Sequence, residues 1–158
     1  QRFDDRNETA TGWRAGVQKS FGIGERGSVA IIASYIGGDS LDGPFCTGDG
    51  GEVRGAAGTS FSLLGREAFV NAEVGYRSRD AVGCDRTLAE LAFGMDVAPK
   101  WRTIVKSWVE DGGEGQSAKL EATLMHDFSF ATIGLGWREE VSGDFKESGW
   151  LFSTWKKF

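Results

Sequence analysis

The chain has 158 residues with a net charge of −5, 24 glycines, two prolines, two cysteines and 12% aromatic residues, six of them tryptophan. That length holds one domain with a core, or one small barrel. It carries no basic stripe for nucleic acid, and no window nears the ~20 apolar residues of a membrane helix, which leaves β-barrels open because their strands show only alternation.

Residues 1–10 are polar, without an apolar face, and read as an external loop or tail together with residue 11. The first predicted strand, Gly12–Gly22, sets Trp13, Ala15, Val17 and Phe21 against Arg14, Gly16, Gln18 and Ser20, with Lys19 interrupting the apolar side. A side-chain period of two is the mark of a strand with two unlike faces. After a turn at residues 23–27, the second strand, Ser28–Gly37, places Val29, Ile31, Ala33 and Tyr35 on one face. Its other face, Ala30, Ile32, Ser34 and Ile36, makes this the poorest alternation in the chain.

A Gly/Asp-rich segment, Gly38–Gly51, holds Cys46. The third strand, Glu52–Leu64, alternates Val53, Gly55, Ala57, Thr59, Phe61 and Leu63 with Arg54, Ala56, Gly58, Ser60 and Ser62. A tight turn leads to the fourth, Glu67–Ser78, where Ala68, Val70, Ala72, Val74 and Tyr76 oppose Phe69, Asn71, Glu73, Gly75 and Arg77. A polar loop, Arg79–Asp85, holds Cys84. Cysteines in polar Gly/Asp loops suit a disulfide in an oxidising compartment, so a Cys46–Cys84 bridge is expected.

The fifth strand is Arg86–Ala98, and Pro99-Lys100 turns the chain into the sixth, Trp101–Glu110. The loop Asp111–Gln116 precedes the seventh strand, Ser117–His126. From Ala131 the eighth puts Ile133, Leu135 and Trp137 on one face, and after Ser142-Gly-Asp144 a ninth strand, Gly149–Phe158, ends the sequence. The segments lack helical periodicity and are dense in Gly, Thr and aromatics.

A final strand ending on Phe158 resembles the closing strand of bacterial outer-membrane β-barrel proteins, where that residue is part of the assembly signal. Thr154 and Lys156 depart from that class, which has apolar residues at such positions. The resemblance implies an all-β, antiparallel up-and-down transmembrane β-barrel forming a single domain over residues 1–158. It also implies the bacterial outer membrane as location and lipid as a partner. A soluble sandwich or lipid-binding barrel, with the apolar face inward, is the alternative. Three features favour lipid: tall apolar faces nearly free of charge, long or polar loops after even-numbered strands with tight turns after odd ones, and aromatics gathered at strand ends. With the long loops outside, Trp13, Tyr35, Tyr76 and Trp137 mark one interface, and Phe21, Phe61, Trp101 and Phe158 the other.

Nine strands leave the first and last running the same way, whereas single-chain bacterial barrels have even numbers. About ten strands are therefore expected, the tenth supplied by a strand preceding Gln1, by a partner envelope chain, or avoided by a parallel pairing of the first and ninth, in that order. The chain opens without a signal sequence and reads as mature or truncated.

The lumen face is expected to carry Arg14, Arg54, Glu73, Arg77, Glu90, Asp96, Arg102, Lys106, Glu110, Lys119, Glu121 and Arg138, paired to offset desolvation. No catalytic, metal or cofactor constellation is legible. His126 faces lipid by period while Asp127 and Ser129 face the lumen, so they form no dyad along the strand. The leading reading is a non-enzymatic barrel with a structural or surface-binding role, a component of an envelope assembly. A small passive channel and a lipid-modifying enzyme are the alternatives.

Overall fold

In the computed structural model, residues 12–38, 46, 48–113, 115–143, 146 and 148–156 are described. They form one sheet of nine antiparallel strands in the order of the sequence, and no helix occurs among them. The strands are β1 (Gly12–Ile23), β2 (Gly27–Gly38), β3 (Gly50–Leu63), β4 (Arg66–Arg79), β5 (Arg86–Ala98), β6 (Trp101–Gly112), β7 (Gly115–Asp127), β8 (Ala131–Ser142) and β9 (Ser148–Lys156).

Each strand pairs with its sequence neighbours, and the turn chemistry explains the hairpins. Leu64 and Gly65 bridge the pair Leu63↔Arg66 and both have positive φ, 53° and 73°. Two positive φ values make the primed turn whose twist matches the flanking strands. Pro99 sets the ordinary φ of a first turn residue and Lys100 takes φ 65° at the second, between the paired Ala98 and Trp101. Irregularities sit at Asp96/Ala98 and Ala118/Lys119.

The loop expected after the sixth strand is shorter than its composition suggested. β6 and β7 stay paired through Asp111↔Gln116 to Gly112↔Gly115, because glycine at both ends lets the hairpin close in two residues. The remaining connections keep the expected contrast: tight turns after β1, β3, β5 and β7, longer segments after β2, β4 and β8.

Register decides which residues share a face. The direct pairs Phe21↔Val29, Val29↔Ala57, Ala57↔Ala72, Ala72↔Leu91, Leu91↔Ser107 and Ser107↔Leu120 carry one apolar face across seven strands. The pairs Leu135↔Phe152 and Trp137↔Trp150 extend it to β9. This face is the exposed one: Val17 is 75% accessible, Trp150 72% and Phe152 74%. The opposite face is the enclosed one, and its buried residues include Glu52, Arg77, Arg86 and Glu121. The soluble alternative required the apolar face inward, and the sheet has it outward.

The expected barrel is an open sheet in the structure. β1 and β9 are its two edges, and among the described residues no pairing joins them. The direct parallel closure between the first and ninth strands is thus not formed. Both edges run in the same direction, and parallel pairing is slightly weaker per residue than antiparallel. The tail at residues 1–11 and the terminal Phe158 lie outside the described residues.

Candidate functional site

The inner face is built around one carboxylate. Glu52, at the start of β3, has a side chain with no accessible surface. Its Oε1 accepts hydrogen bonds from Arg54 Nε at 2.6 Å and Arg14 at 3.0 Å. Its Oε2 accepts from Arg77 Nε at 2.8 Å and lies 2.7 Å from a second Arg77 nitrogen. Three strands, β1, β3 and β4, thus converge on one anion. Charge-assisted bonds of this length are the strong kind, and burial strengthens them further.

From this hub the ion pairs continue across the sheet. Arg54 lies 3.7 Å from Glu73 and 4.0 Å from Glu90. Glu90 also accepts a hydrogen bond from the Trp108 indole at 2.6 Å and lies 3.9 Å from Lys106. Arg86 faces Glu110 at 3.9 Å. On β7 and β8, Arg138 pairs with Glu121 at 2.9 Å while its guanidinium stacks 4.5 Å from the Trp108 ring. Arg102 pairs with Asp96 at 2.7 Å. Lys119 holds an inner-face position on β7, opposite Trp108 and Glu140. All twelve charged residues named from the sequence therefore fall on the enclosed face.

Sequence reasoning missed Glu52, Arg79, Arg86, Trp108 and Glu140. The signal was present as parity: Glu52 is two residues from Arg54, Arg79 two from Arg77, and Glu140 two from Arg138. Glu52 and Arg86 stand at the first positions of their predicted strands and Arg79 in a predicted loop, where alternation stops being informative; Trp108 lies on the charged face of the sixth strand, where period two does not reveal its bond to Glu90. Burial of Arg79 and Glu140 needs β4 and β8 to run on past their periodic cores, and burial of Arg86 needs β5 to stay paired at its first residue.

The loop end of the sheet is tied covalently. Cys46 and Cys84 form a disulfide, with Cα atoms 5.4 Å apart and both residues buried. It joins the β2–β3 and β4–β5 connections. Tyr35 donates to Asp49 at 2.7 Å, anchoring the first of these to the outer face. Asp85 anchors the second: hydroxyls of Ser78 and Tyr76 and the Arg79 amide donate to it, holding its carboxyl below the ordinary aspartate range.

The aromatics named for the two rims lie toward the strand ends. Trp13, Tyr35, Tyr76 and Trp137 stand on the exposed face toward the loops, with Trp13–Tyr35 centroids 5.5 Å apart and Trp137–Trp150 5.1 Å apart. Phe21 and Trp101 are exposed toward the tight turns and Phe61 is half-buried there; Phe158 lies outside the described residues. Trp101, His126, Phe128 and Phe130 form a ladder, with centroid spacings of 4.4, 4.5 and 5.8 Å. Between the rims, Lys19 is the one charged residue on the described outward positions, and its ammonium sits 5.3 Å from the Phe21 ring. Arg66, Asp111 and Glu139 occupy outward positions at strand ends.

His126 is held in that ladder, and its Nδ1 has no hydrogen-bond partner among the described residues. Asp127 is bonded to Thr132. Among the described residues, no group of three or more His, Cys, Asp or Glu could hold a metal. No protein-family model, curated protein or solved structure matches the chain.

Proposed function

We propose that this chain is the wall of a membrane-spanning β-barrel, with its apolar face in lipid and a structural or surface-binding role in the bacterial outer membrane. One observation carries the reading: the sheet is inside out by soluble standards. Its best-buried side chains include a glutamate hub gripped by arginines, while Val, Leu, Phe and Trp on the opposite face are exposed. Soluble monomers rarely expose contiguous apolar patches beyond a few hundred Å². Lipid is a solvent in which that face gains rather than costs. The outward strip between Trp13 and Phe21 runs about 26 Å along the strand at ~3.3 Å per residue. A tilt of roughly 40° projects it to about 20 Å along the membrane normal, which sets Trp13 and Phe21 just inside the edges of the ~25 Å apolar band of membrane barrels.

In a bilayer the two sheet edges cannot stay bare, because each unpaired backbone group in hydrocarbon costs several kcal/mol. β1 and β9 run parallel to each other, so one intervening strand of opposite direction would be antiparallel to both. Ten strands is the closed form this favours. The outer-membrane location itself rests on the resemblance of the closing strand. The ion-pair band on the inner face favours a scaffold role. A passive channel is the second reading, favoured by the small inner-face residues Ser28, Gly58 and Ser60, and planar-bilayer conductance distinguishes it.

The test is tryptophan quenching by brominated lipid after reconstitution. Outward Trp13, Trp101, Trp137 and Trp150 are expected to be quenched, with heat-modifiable gel mobility as a second readout. A protein that stays monomeric in detergent-free buffer and is not quenched would overturn the reading.

A further inference from the structure

The inner face is not uniform along the strands. Toward the loops it carries Glu52, Arg54, Arg77 and Arg86, and toward the tight turns it carries Ser28, Ala56, Gly58, Ser60 and Ala92. Small side chains leave an open hollow on that face. The result is a cavity of about 460 Å³ walled by β2 to β6, with Arg26 of the β1–β2 turn among its lining residues. Its apolar lining includes Phe69 and Ile104. The Phe69 ring lies across the backbone of Gly94, its register partner, where any Cβ would overlap the ring.

The polar lining is unbalanced in what it has left to offer. Both carboxylates are engaged. Glu73 accepts from Asn71 at 3.1 Å and faces Arg54, and Glu90 accepts from Trp108 at 2.6 Å. Lys106 reaches Glu90 only at 3.9 Å, beyond hydrogen-bonding distance, so its ammonium keeps its donors. Among the described residues, Arg26 has no carboxylate within ion-pairing range. The unspent capacity of the cavity is therefore donor capacity: one ammonium, one guanidinium and the hydroxyl of Ser28, the Ser60 hydroxyl being given to the Arg26 carbonyl at 3.5 Å. Pockets of 300–1,000 Å³ with apolar walls and a few polar groups are the usual form of small-molecule sites.

We infer that this cup binds a small organic anion with an apolar body, its acid group on Lys106 and Arg26 and its body against Phe69 and Ile104. The site belongs to the inner face alone, so it stands or falls independently of whether the outer face lies in lipid.

Benzoate is the probe, titrated into the folded protein and read by the isoleucine methyl resonances. The Ile104 methyl should shift saturably with a dissociation constant in the low millimolar range. The outward Ile31 methyl should not, which controls for partitioning into detergent. Benzyl alcohol, the neutral analogue, and inorganic phosphate, which lacks the apolar body, should each bind at least tenfold more weakly. Lys106→Met should weaken benzoate at least tenfold, exposed Arg26→Met severalfold, and Ser28→Phe should abolish binding by filling the cup. Should Lys106→Met not fold, the Arg26 and Ser28 variants carry the test. No saturable Ile104 shift, equal binding of benzyl alcohol or phosphate, or indifference to the variants would overturn the proposal.

Discussion

Replacing Glu52 by glutamine should be among the most damaging single changes in this sheet. The substitution is nearly isosteric, so it removes charge and leaves volume. The side chain has no accessible surface, and the guanidinium groups on it come from Arg54 and Arg77, which are 12% and 10% accessible, and from Arg14, which is 53% accessible. Arg14 can recover water, so its loss counts for little. Arg54 retains Glu73 and Glu90 at 3.7 and 4.0 Å, but at those distances it regains only part of what a 2.6 Å bond supplied. Arg77 loses two contacts at 2.7 and 2.8 Å. Breaking a buried pair from one side costs about 3–5 kcal/mol, because the surviving charges stay desolvated. Against a total stability of ~5–15 kcal/mol, that is a large fraction. Equilibrium urea unfolding, followed by tryptophan fluorescence, measures it. A second variant separates charge from packing: replacing Glu52, Arg54 and Arg77 together by methionine should cost much less than the single change, since the buried hub charges leave together while Glu73 keeps Asn71 and Glu90 keeps Trp108 and Lys106. A loss below ~1 kcal/mol in Glu52→Gln, or a triple variant as damaged as the single one, would refute the hub.

Three further outcomes are expected. Replacing Cys46 and Cys84 by serine opens a constraint over a sequence separation of 38 residues, for which the chain-entropy model gives about 4 kcal/mol; mass spectrometry of the non-reduced protein checks the bridge and unfolding checks the loss. Leu64→Asn should stabilise by roughly 1 kcal/mol in the same unfolding assay, because Leu64 holds φ 53° in a two-residue primed turn that prefers Asn-Gly. Asp85 has a folded-state carboxyl below its unfolded value, so its stabilising contribution is present above the ordinary aspartate range and is lost as pH falls through the lower folded value. Acid titration of β4–β5 loop resonances should show this transition in the parent and lose it in Asp85→Asn.

Much of the architecture was legible without coordinates. Strand existence followed from period two, since successive side chains must point to opposite faces. The fifth strand, Arg86–Ala98, was bounded correctly, and most other ends differ by one or two residues. The pairing of Cys46 with Cys84 was legible from polar context, and the charged inner-face set from parity. Sequence alone could not say that Glu52 is the hub, because three arginines on β1, β3 and β4 reach it only once register places Glu52 opposite Arg77 and beside Ser34. Nor could it say that β6 and β7 close in two residues, a property of paired backbone rather than composition. Which face is enclosed was likewise a tertiary decision. Alternation is symmetric between in and out, and only the nine strands paired in register break that symmetry, burying Glu52, Arg77, Arg86 and Glu121 while leaving Trp13, Trp137 and Trp150 exposed.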